Sequence, residues 1–164
     1  LSKLGFMMQN KIYFDNDGSL NKRLISKSIE HFCRPKVYPN FLNNLLNTRP
    51  NKKIKKIGCT DSSDGLFQAI QDLVIASKCK AIINYDKLPK DKYWPKGDKW
   101  DEYYFFGGED YELVFSLPVN WANSLSKLDD NINAIGFFVN GAPSIEFSDN
   151  KKNKLLNNTP FKHF

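Results

Sequence analysis

Two short acidic segments carry most of the chemistry that this sequence offers. The first, DSSDGL at residues 61–66, stands where an extended run meets a helical pattern. Asp61 and Ser63 project to the same side of an extended chain, and Asp64 is predicted to be the N-cap of the helix. The N–H groups of a helix N-terminus favour phosphate oxygens, and carboxylates beside them would hold a hard cation such as Mg²⁺. Asp61 and Asp64 are therefore candidate metal ligands, and Ser63 is a candidate hydroxyl donor to phosphate. Ser-Asp-Gly is also ordinary turn chemistry, and that structural interpretation stays open.

The second segment is GGEDYEL at residues 107–113. Its paired glycines permit positive φ and a close approach of the backbone to a ligand. Residues 98–112 hold six acids against one lysine, Lys99. Like charges at this density cost energy unless a cation or a cationic substrate neutralises them. A binding site and a solvated hairpin both fit this pattern.

Alternating helices and strands must position these two segments. Hydrophobic spacing predicts a helix over residues 66–77 and a buried strand over residues 80–85, with no repeat at a fixed period. The alternation predicts an α+β fold in which a mixed β-sheet is layered with helices. The other predicted helices cover residues 19–33, 39–46, 99–104 and 118–128, and the other predicted strands cover residues 57–61, 111–116, 132–139 and 144–147.

Composition places the chain among globular proteins. It has 164 residues, of which 41% are hydrophobic and 26% are charged, and a formal net charge of +6. No apolar run reaches the roughly 18 residues of a membrane-spanning helix. The first residues lack a signal-peptide cleavage pattern, and three cysteines without a C-x-x-C pair suit a reducing compartment, so a cytoplasmic location is predicted. No G-x-x-x-x-G-K-[ST] loop is present, which excludes a P-loop mechanism.

Together the two segments resemble the C-terminal half of thiamine-monophosphate kinase. That family carries D-[aliphatic]-S-D-G-L at a strand–helix junction and G-G-[ED]-D-Y-E-L further along the chain. The helix and strand around residues 72–82, the dipeptide at residues 34–35 and the aromatic-x-His-Phe pattern of residues 161–164 are also similar to the family. The resemblance therefore runs over nearly the whole chain.

The resemblance implies a domain division and a reaction. Residues 1–35 are expected to be a helical remnant of an N-terminal domain with its linker. Residues 36–164 are expected to form a C-terminal α+β domain like that of the aminoimidazole ribonucleotide synthetase superfamily. The implied reaction transfers the γ-phosphoryl group of ATP to thiamine monophosphate with Mg²⁺, in a cytoplasmic homodimer that binds neither nucleic acid nor membrane. Because nothing here matches the family's N-terminal aspartates, we expect these 164 residues alone to lack appreciable kinase activity.

Residue roles follow from the same resemblance. It implies that Asp61 and Asp64 bind Mg²⁺, that Ser63 contacts ATP and that Glu109 contacts the thiamine substrate. It implies no catalytic base, because a phosphate oxygen is already an adequate nucleophile and phosphoryl transfer depends on alignment and charge neutralisation.

Two positions depart from the family pattern. Ser62 replaces an aliphatic residue at a strand position that is expected to be buried. Asn158 stands where the family has an aromatic residue that stacks on the substrate, and Phe161 is the candidate replacement in substrate binding.

Other functions stay open at this stage. Asn158 keeps open another ATP-using member of the superfamily, such as aminoimidazole ribonucleotide synthetase or selenophosphate synthetase. A pI of about 9.1 and four lysines within residues 51–56 suggest a nucleic-acid-binding module, although no aromatic residue is interleaved and the acidic segments would repel a polyanion. A non-catalytic dimerisation or assembly domain is the third alternative. His31 is interpreted as a packing residue, and the three tryptophans as core or loop anchors.

Overall fold

The computed structural model describes residues 22–34, 38–51 and 57–157. Within these ranges the helices are α1 (Lys22–Cys33), α2 (Phe41–Asn47), α3 (Leu66–Ser77), α4 (Asp98–Phe106) and α5 (Val119–Leu128). The strands are β1 (Gly58–Asp61), β2 (Lys80–Ile83), β3 (Leu113–Ser116), β4 (Gly136–Val139) and β5 (Ser144–Phe147). Two 3₁₀ segments, Tyr85–Lys87 and Asn150–Asn157, complete the described elements.

The described strands form two small sheets. β1 pairs antiparallel with β3, and this register places Asp61 opposite Leu113. β2 is the central strand of the second sheet, where it runs antiparallel to β4 and parallel to β5. The predicted α+β class with a mixed sheet is confirmed, but the strands divide between two sheets because β1 and β3 pair with each other alone.

Helix α3 packs between the sheets and fixes their relative position. Its apolar side chains recur at helical spacing, and Ala69, Ile70, Leu73 and Val74 are buried. Full burial of a valine, leucine or isoleucine side chain contributes about 1.5–3 kcal/mol. The helix ends at Ser77, and the next residue, Lys78, adopts the left-handed conformation and donates its N–H to the carbonyl of Ile75. The prediction of a helix over residues 66–77 is confirmed to the residue.

Helix α4 is the most deeply buried helix of the described chain. Phe105 and Phe106 are almost inaccessible to solvent, and both rings pack against Phe67 of α3. The ring of Phe105 also contacts Phe147 of β5. The helix extends two residues beyond its predicted end at residue 104, because this aromatic packing holds its last turn. It therefore delivers residue 107 directly against α3.

A second, smaller core joins α2 to α5. Leu45, Trp121 and Leu125 are buried together, and the indole N–H of Trp121 donates to the carbonyl of Leu45 at 2.9 Å. Phe41 packs against Phe115 of β3, with ring centroids 4.9 Å apart and the rings tilted by 36°. Trp121 is therefore a core anchor, as predicted, and its polar atom is satisfied by a backbone carbonyl.

Some predicted elements differ from the observed ones, and others lie outside the described residues. The predicted strands at residues 132–139 and 111–116 begin later than expected, and the 3₁₀ segment at the end of the described chain was not predicted. The lysines of residues 52–56 and the first three residues of the helix predicted over residues 19–33 lie outside the described residues. Among the helices that the structure describes, none has the length and apolar character needed to cross a membrane.

Candidate functional site

The two acidic segments lie side by side. Pairing of β1 with β3 continues past the strand ends, where the N–H of Ser62 donates to the carbonyl of Glu112 at 2.9 Å. The N–H of Glu112 donates in return to Ser62 Oγ at 3.1 Å. The N–H of Glu109 donates to the carbonyl of Ser63 at 2.5 Å. Residues 61–65 and 107–112 therefore form one continuous structure, which we call the candidate site.

Ser62 is the residue that joins the two segments. Its side chain is only 3% exposed, and its hydroxyl oxygen accepts the N–H of Glu112. A buried hydroxyl without a partner costs free energy, whereas this one is satisfied. The departure from the family's aliphatic residue therefore has a structural explanation, because the hydroxyl gives the second segment an acceptor.

The helix after the first segment begins one residue later than the predicted cap. The N-cap is Gly65, with φ 97° and ψ 158° and no side-chain hydrogen bond, so the prediction of Asp64 as the N-cap is wrong. A Cβ atom on Gly65 would lie 3.0 Å from the carbonyl oxygen of Phe106 and 3.2 Å from that of Gly107. The α4 backbone passes so close that only a glycine fits. Asp64 therefore lies in the turn before the helix, which the bond from Gly65 N–H to the carbonyl of Ser62 closes at 3.0 Å.

Asp61 is an exposed carboxylate that the next turn holds in place. Its Oδ1 accepts the N–H of Ser63 at 2.9 Å. Hydrogen bonds from the Ser63 side chain and backbone lower the pKa of Asp61 below its usual value. Asp61 and Ser63 are therefore in contact, although Ser63 lies in a turn and not in the extended chain from which their common orientation was predicted. An ionised carboxylate at this position is a suitable oxygen ligand for a hard cation.

The second segment is a strained loop, but the strain lies at unexpected residues. Glu109 has φ 67° and Tyr111 has φ 54°, whereas neither glycine of the pair has positive φ. The left-handed conformation costs a non-glycine residue about 1–2 kcal/mol. The glycines serve the close packing instead: Gly107 has φ −68° and lies buried against Gly65. Such strain persists where surrounding contacts over-determine the loop, and this is common at functional sites.

The acidic cluster of residues 98–112 is partly neutralised by the protein itself. Asp98 accepts a hydrogen bond from Lys154. Asp101 is bound by Lys90 at 2.9 Å and by Lys152 at 2.8 Å. The charges of these two aspartates are therefore compensated by lysines of the same chain and need no external cation.

Asp101 is the one carboxylate that the described structure buries. Asp101 is 4% exposed. Its carboxylate accepts hydrogen bonds from the phenol of Tyr85 and from the ammonium groups of Lys90 and Lys152. Burial alone would raise the pKa of Asp101, but hydrogen bonds from Lys152, Tyr85 and Lys90 lower it below the usual value. Sequence reasoning missed this network, since no local pattern links residue 101 to residues 85, 90 and 152.

His31 of helix α1 also contacts the candidate site. Its Nε2 lies 3.3 Å from the carbonyl oxygen of Asp110 and 3.6 Å from Glu112 Oε1. The interpretation of His31 as a packing residue is therefore incomplete, because it contacts polar atoms of the second segment.

The metal and substrate assignments stay predictions. Among the described residues, no group of three or more His, Cys, Asp or Glu side chains is arranged to hold a metal ion. Asp61 and Asp64 offer oxygen donors of the type that Mg²⁺ prefers, from two positions of one turn. Phe161 and Asn158 lie outside the described residues. A cleft of about 480 Å³ is lined by residues 86–90 and 132–134, away from the candidate site.

Curated relatives match this chain, one of them over its whole length, although no family model matches it. The thiamine-monophosphate kinase of Prochlorococcus marinus is 33% identical over 164 residues, which are 100% of this chain and 49% of that protein. The chain is homologous to the thiamine-monophosphate kinases. Two more kinases of this name are similar to the chain. The one from Synechococcus elongatus is 27% identical over 148 residues. The one from Buchnera aphidicola subsp. Schizaphis graminum is 30% identical over 114 residues. They align with 89% and 63% of this chain and 45% and 34% of their own lengths. The chain thus spans about half the length or less of the curated thiamine-monophosphate kinases that it matches.

Solved structures agree on the fold. AaThiL complexed with AMPPCP and TMP superposes with a TM-score of 0.61 at 21% identity, covering 99% of this chain and 47% of that one. The thiamine-monophosphate kinase from Stenotrophomonas maltophilia gives a TM-score of 0.50 at 23% identity, covering 56% and 31%. The fold is the aminoimidazole ribonucleotide synthetase-like fold that the resemblance implied.

Proposed function

We propose that this chain is the C-terminal part of an ATP-dependent thiamine-monophosphate kinase. The supporting observation is the direct hydrogen bond between the two acidic segments, from Glu109 N–H to the carbonyl of Ser63. It brings the candidate metal and phosphate residues next to the candidate substrate residue. Homology to kinases of this name and the AMPPCP and TMP bound in the neighbour AaThiL support the same assignment.

The reaction needs positioning and charge neutralisation more than it needs a base. The attacking atom is a phosphate oxygen of thiamine monophosphate, which displaces ADP from the γ-phosphorus of ATP and forms thiamine diphosphate. That oxygen is already ionised at neutral pH, so no side chain has to remove a proton. The protein therefore has to hold two polyanionic groups close together and in line.

The first segment would hold the phosphate end of this arrangement. Asp61 and Asp64 would bind Mg²⁺, and the bound ion would supply charge neutralisation at the phosphoryl oxygens. The hydroxyl of Ser63 would contact ATP. Helix α3 begins beside them without a side-chain cap, and the positive end of its dipole favours phosphate oxygens at that position.

The second segment would hold the organic end of the substrate. The thiazolium ring of thiamine carries a fixed positive charge, which a nearby carboxylate attracts. Glu109 supplies that carboxylate from the strained loop, and its own N–H anchors the loop to the first segment. The two hydrogen-bonded segments would therefore together position the thiazolium ring and the phosphate groups.

Three charge-neutralising variants in the complete kinase that contains this chain would test the proposal. Asp61→Asn should raise the Mg²⁺ concentration for half-maximal rate, and Glu109→Gln should raise KM for thiamine monophosphate. Each change should be about tenfold or more, the value of one charge-assisted contact. Asp72→Asn is the matched control, because Asp72 is an exposed acid on α3 that bonds only locally, to Gln68 at 2.8 Å. Wild-type kinetics in both site variants would refute the proposal.

Assembly and location belong to the same proposal. A homodimer is expected, and sedimentation velocity on the complete kinase would test it. A cytoplasmic location agrees with the thiol state of the three cysteines, which are all free in the structure.

A further inference from the structure

Helix α1 presents three basic side chains on one face toward the rest of the protein. Arg23, Lys27 and His31 recur every four residues, which places them one above another along the helix. The guanidinium of Arg23 lies 5.8 Å from the ring centre of Tyr93, and Lys27 Nζ lies 3.0 Å from Asp91 Oδ2. These two contacts dock the helix on the loop before α4.

His31 is the last residue of this face, and it contacts the candidate site. Its Nε2 faces the carbonyl oxygen of Asp110 at 3.3 Å and the carboxylate of Glu112 at 3.6 Å. Both neighbours are hydrogen-bond acceptors, so Nε2 has to carry a proton to contact them favourably. The side chain of His31 is 26% exposed, which limits the access of water to this contact.

The contacted carbonyl belongs to the most strained part of the loop. Asp110 lies between Glu109 and Tyr111, which both have left-handed backbone conformation. The direction of the Asp110 carbonyl depends on those two conformations. Two N–H groups of the loop already donate to residues 62 and 63, and His31 adds a contact from a different element. A strained loop needs such contacts to persist.

We propose that His31 is a positioning residue that holds the loop of residues 107–112 in the conformation that carries Glu109. The conformational role stands on the contacts above. The consequence for substrate binding rests on the proposed function, and the two are tested separately.

Hydrogen exchange on the 164-residue chain tests the conformational role without any assumption about catalysis. The reporters are the amides of Glu109 and Glu112, which donate to Ser63 and Ser62. His31→Ala should accelerate their exchange about five- to tenfold, because one contact that opposes loop opening is lost. His31→Gln should restore rates to within about twofold of wild type, since its amide can donate to the same carbonyl.

Lys27→Ala is the matched control for this experiment. It removes a contact from the same face of α1 but leaves the loop of residues 107–112 untouched. Its reporter amides should exchange at the wild-type rate. The proposal is overturned if His31→Ala leaves both reporter amides unchanged, or if Lys27→Ala accelerates them equally, since His31 would then only dock the helix.

Steady-state kinetics on the complete kinase test the consequence for substrate binding. His31→Ala should raise KM for thiamine monophosphate about fivefold and leave KM for ATP unchanged, and His31→Gln should reverse the effect. Equal changes in both KM values would overturn the link to Glu109. A wild-type kinase that does not use thiamine monophosphate would refute the proposed function and leave the exchange result standing.

Discussion

The N–H of Glu109 donates to the carbonyl oxygen of Ser63 across 2.5 Å. This bond joins the turn after β1 to the loop before β3, and it extends the antiparallel pairing of the two strands beyond their ends. Carboxylates from both segments are therefore held by one backbone network rather than by separate loops. Four predictions follow from the contacts around this network and from the proposed reaction.

The first prediction concerns the close approach of α4 to Gly65. Gly65→Ala and Gly97→Ala both force alanine into a positive-φ backbone, with φ 97° and 121° and ψ near 158° in each case. A Cβ at Gly97 meets nothing within 4 Å, whereas one at Gly65 meets the Phe106 carbonyl oxygen at 3.0 Å. Each substitution should therefore cost about 1–3 kcal/mol of backbone strain, and Gly65→Ala should cost about 1–3 kcal/mol more from overpacking.

Urea denaturation of the two variants measures this difference in the free energy of unfolding. Gly97→Ala introduces the backbone strain but no contact with the Phe106 carbonyl. Equal losses of unfolding free energy in the two variants would therefore contradict the packing of Gly65 against the C-terminus of α4.

The second prediction concerns the buried hydroxyl of Ser62. Ser62 is 3% exposed, and its hydroxyl oxygen accepts the N–H of Glu112. Ser62→Ala therefore leaves that N–H without its acceptor. The variant should lose about 1–3 kcal/mol of unfolding free energy. Ser124→Ala on the exposed face of α5 is the control and should change stability by less than about 0.5 kcal/mol. Chemical denaturation compares them, and a stabilised Ser62→Ala protein would show that apolar burial outweighs the hydrogen bond.

The third prediction concerns the buried ion network of Asp101. Asp101→Asn leaves Lys90 and Lys152 without their carboxylate, although their side chains remain 20% and 24% exposed. Breaking a buried pair costs about 3–5 kcal/mol, and we expect the lower end because water reaches both lysines. Asp98→Asn is the control, since Asp98 and Lys154 are more than half exposed and such pairs contribute at most about 1 kcal/mol.

The same network sets a pH dependence. The pKa of Asp101 is lower in the folded protein than in the unfolded chain, so its contribution to stability is complete above the unfolded value, about pH 4. The contribution is lost as the pH falls below that value through the folded-state pKa. Stability curves of wild type and Asp101→Asn should therefore converge as the pH falls below about 4. A difference that stays constant as the pH falls would contradict the assignment.

The fourth prediction concerns activity of the chain alone. The 164 residues span 49% of the Prochlorococcus kinase, and the two proposed Mg²⁺ ligands, Asp61 and Asp64, would hold too little Mg²⁺ to neutralise the phosphates of both substrates. The isolated chain should release no appreciable ADP with ATP, thiamine monophosphate and Mg²⁺, whereas the complete kinase should. Turnover by the chain alone near the usual 1–100 s⁻¹ of kinases would refute this prediction.

Local patterns in the sequence determined much of the fold and the family. The helix at residues 66–77 and the edge strand at residues 144–147 have their predicted limits, because side-chain periodicity and glycine or proline boundaries act over a few residues. The residue types of the two acidic segments also sufficed to indicate the kinase family. Those features depend on neighbours along the chain, which a sequence displays directly.

Only the tertiary structure decided how the segments meet. The lysines at positions 90 and 152 neutralise Asp101, α4 forces the helix cap onto Gly65, and the strain falls on Glu109 instead of on a glycine. Each of these depends on backbone or charge that lies more than ten residues away along the chain. Their free energies arise from contacts that exist only after the sheets and helices have packed, so no local pattern could have indicated them.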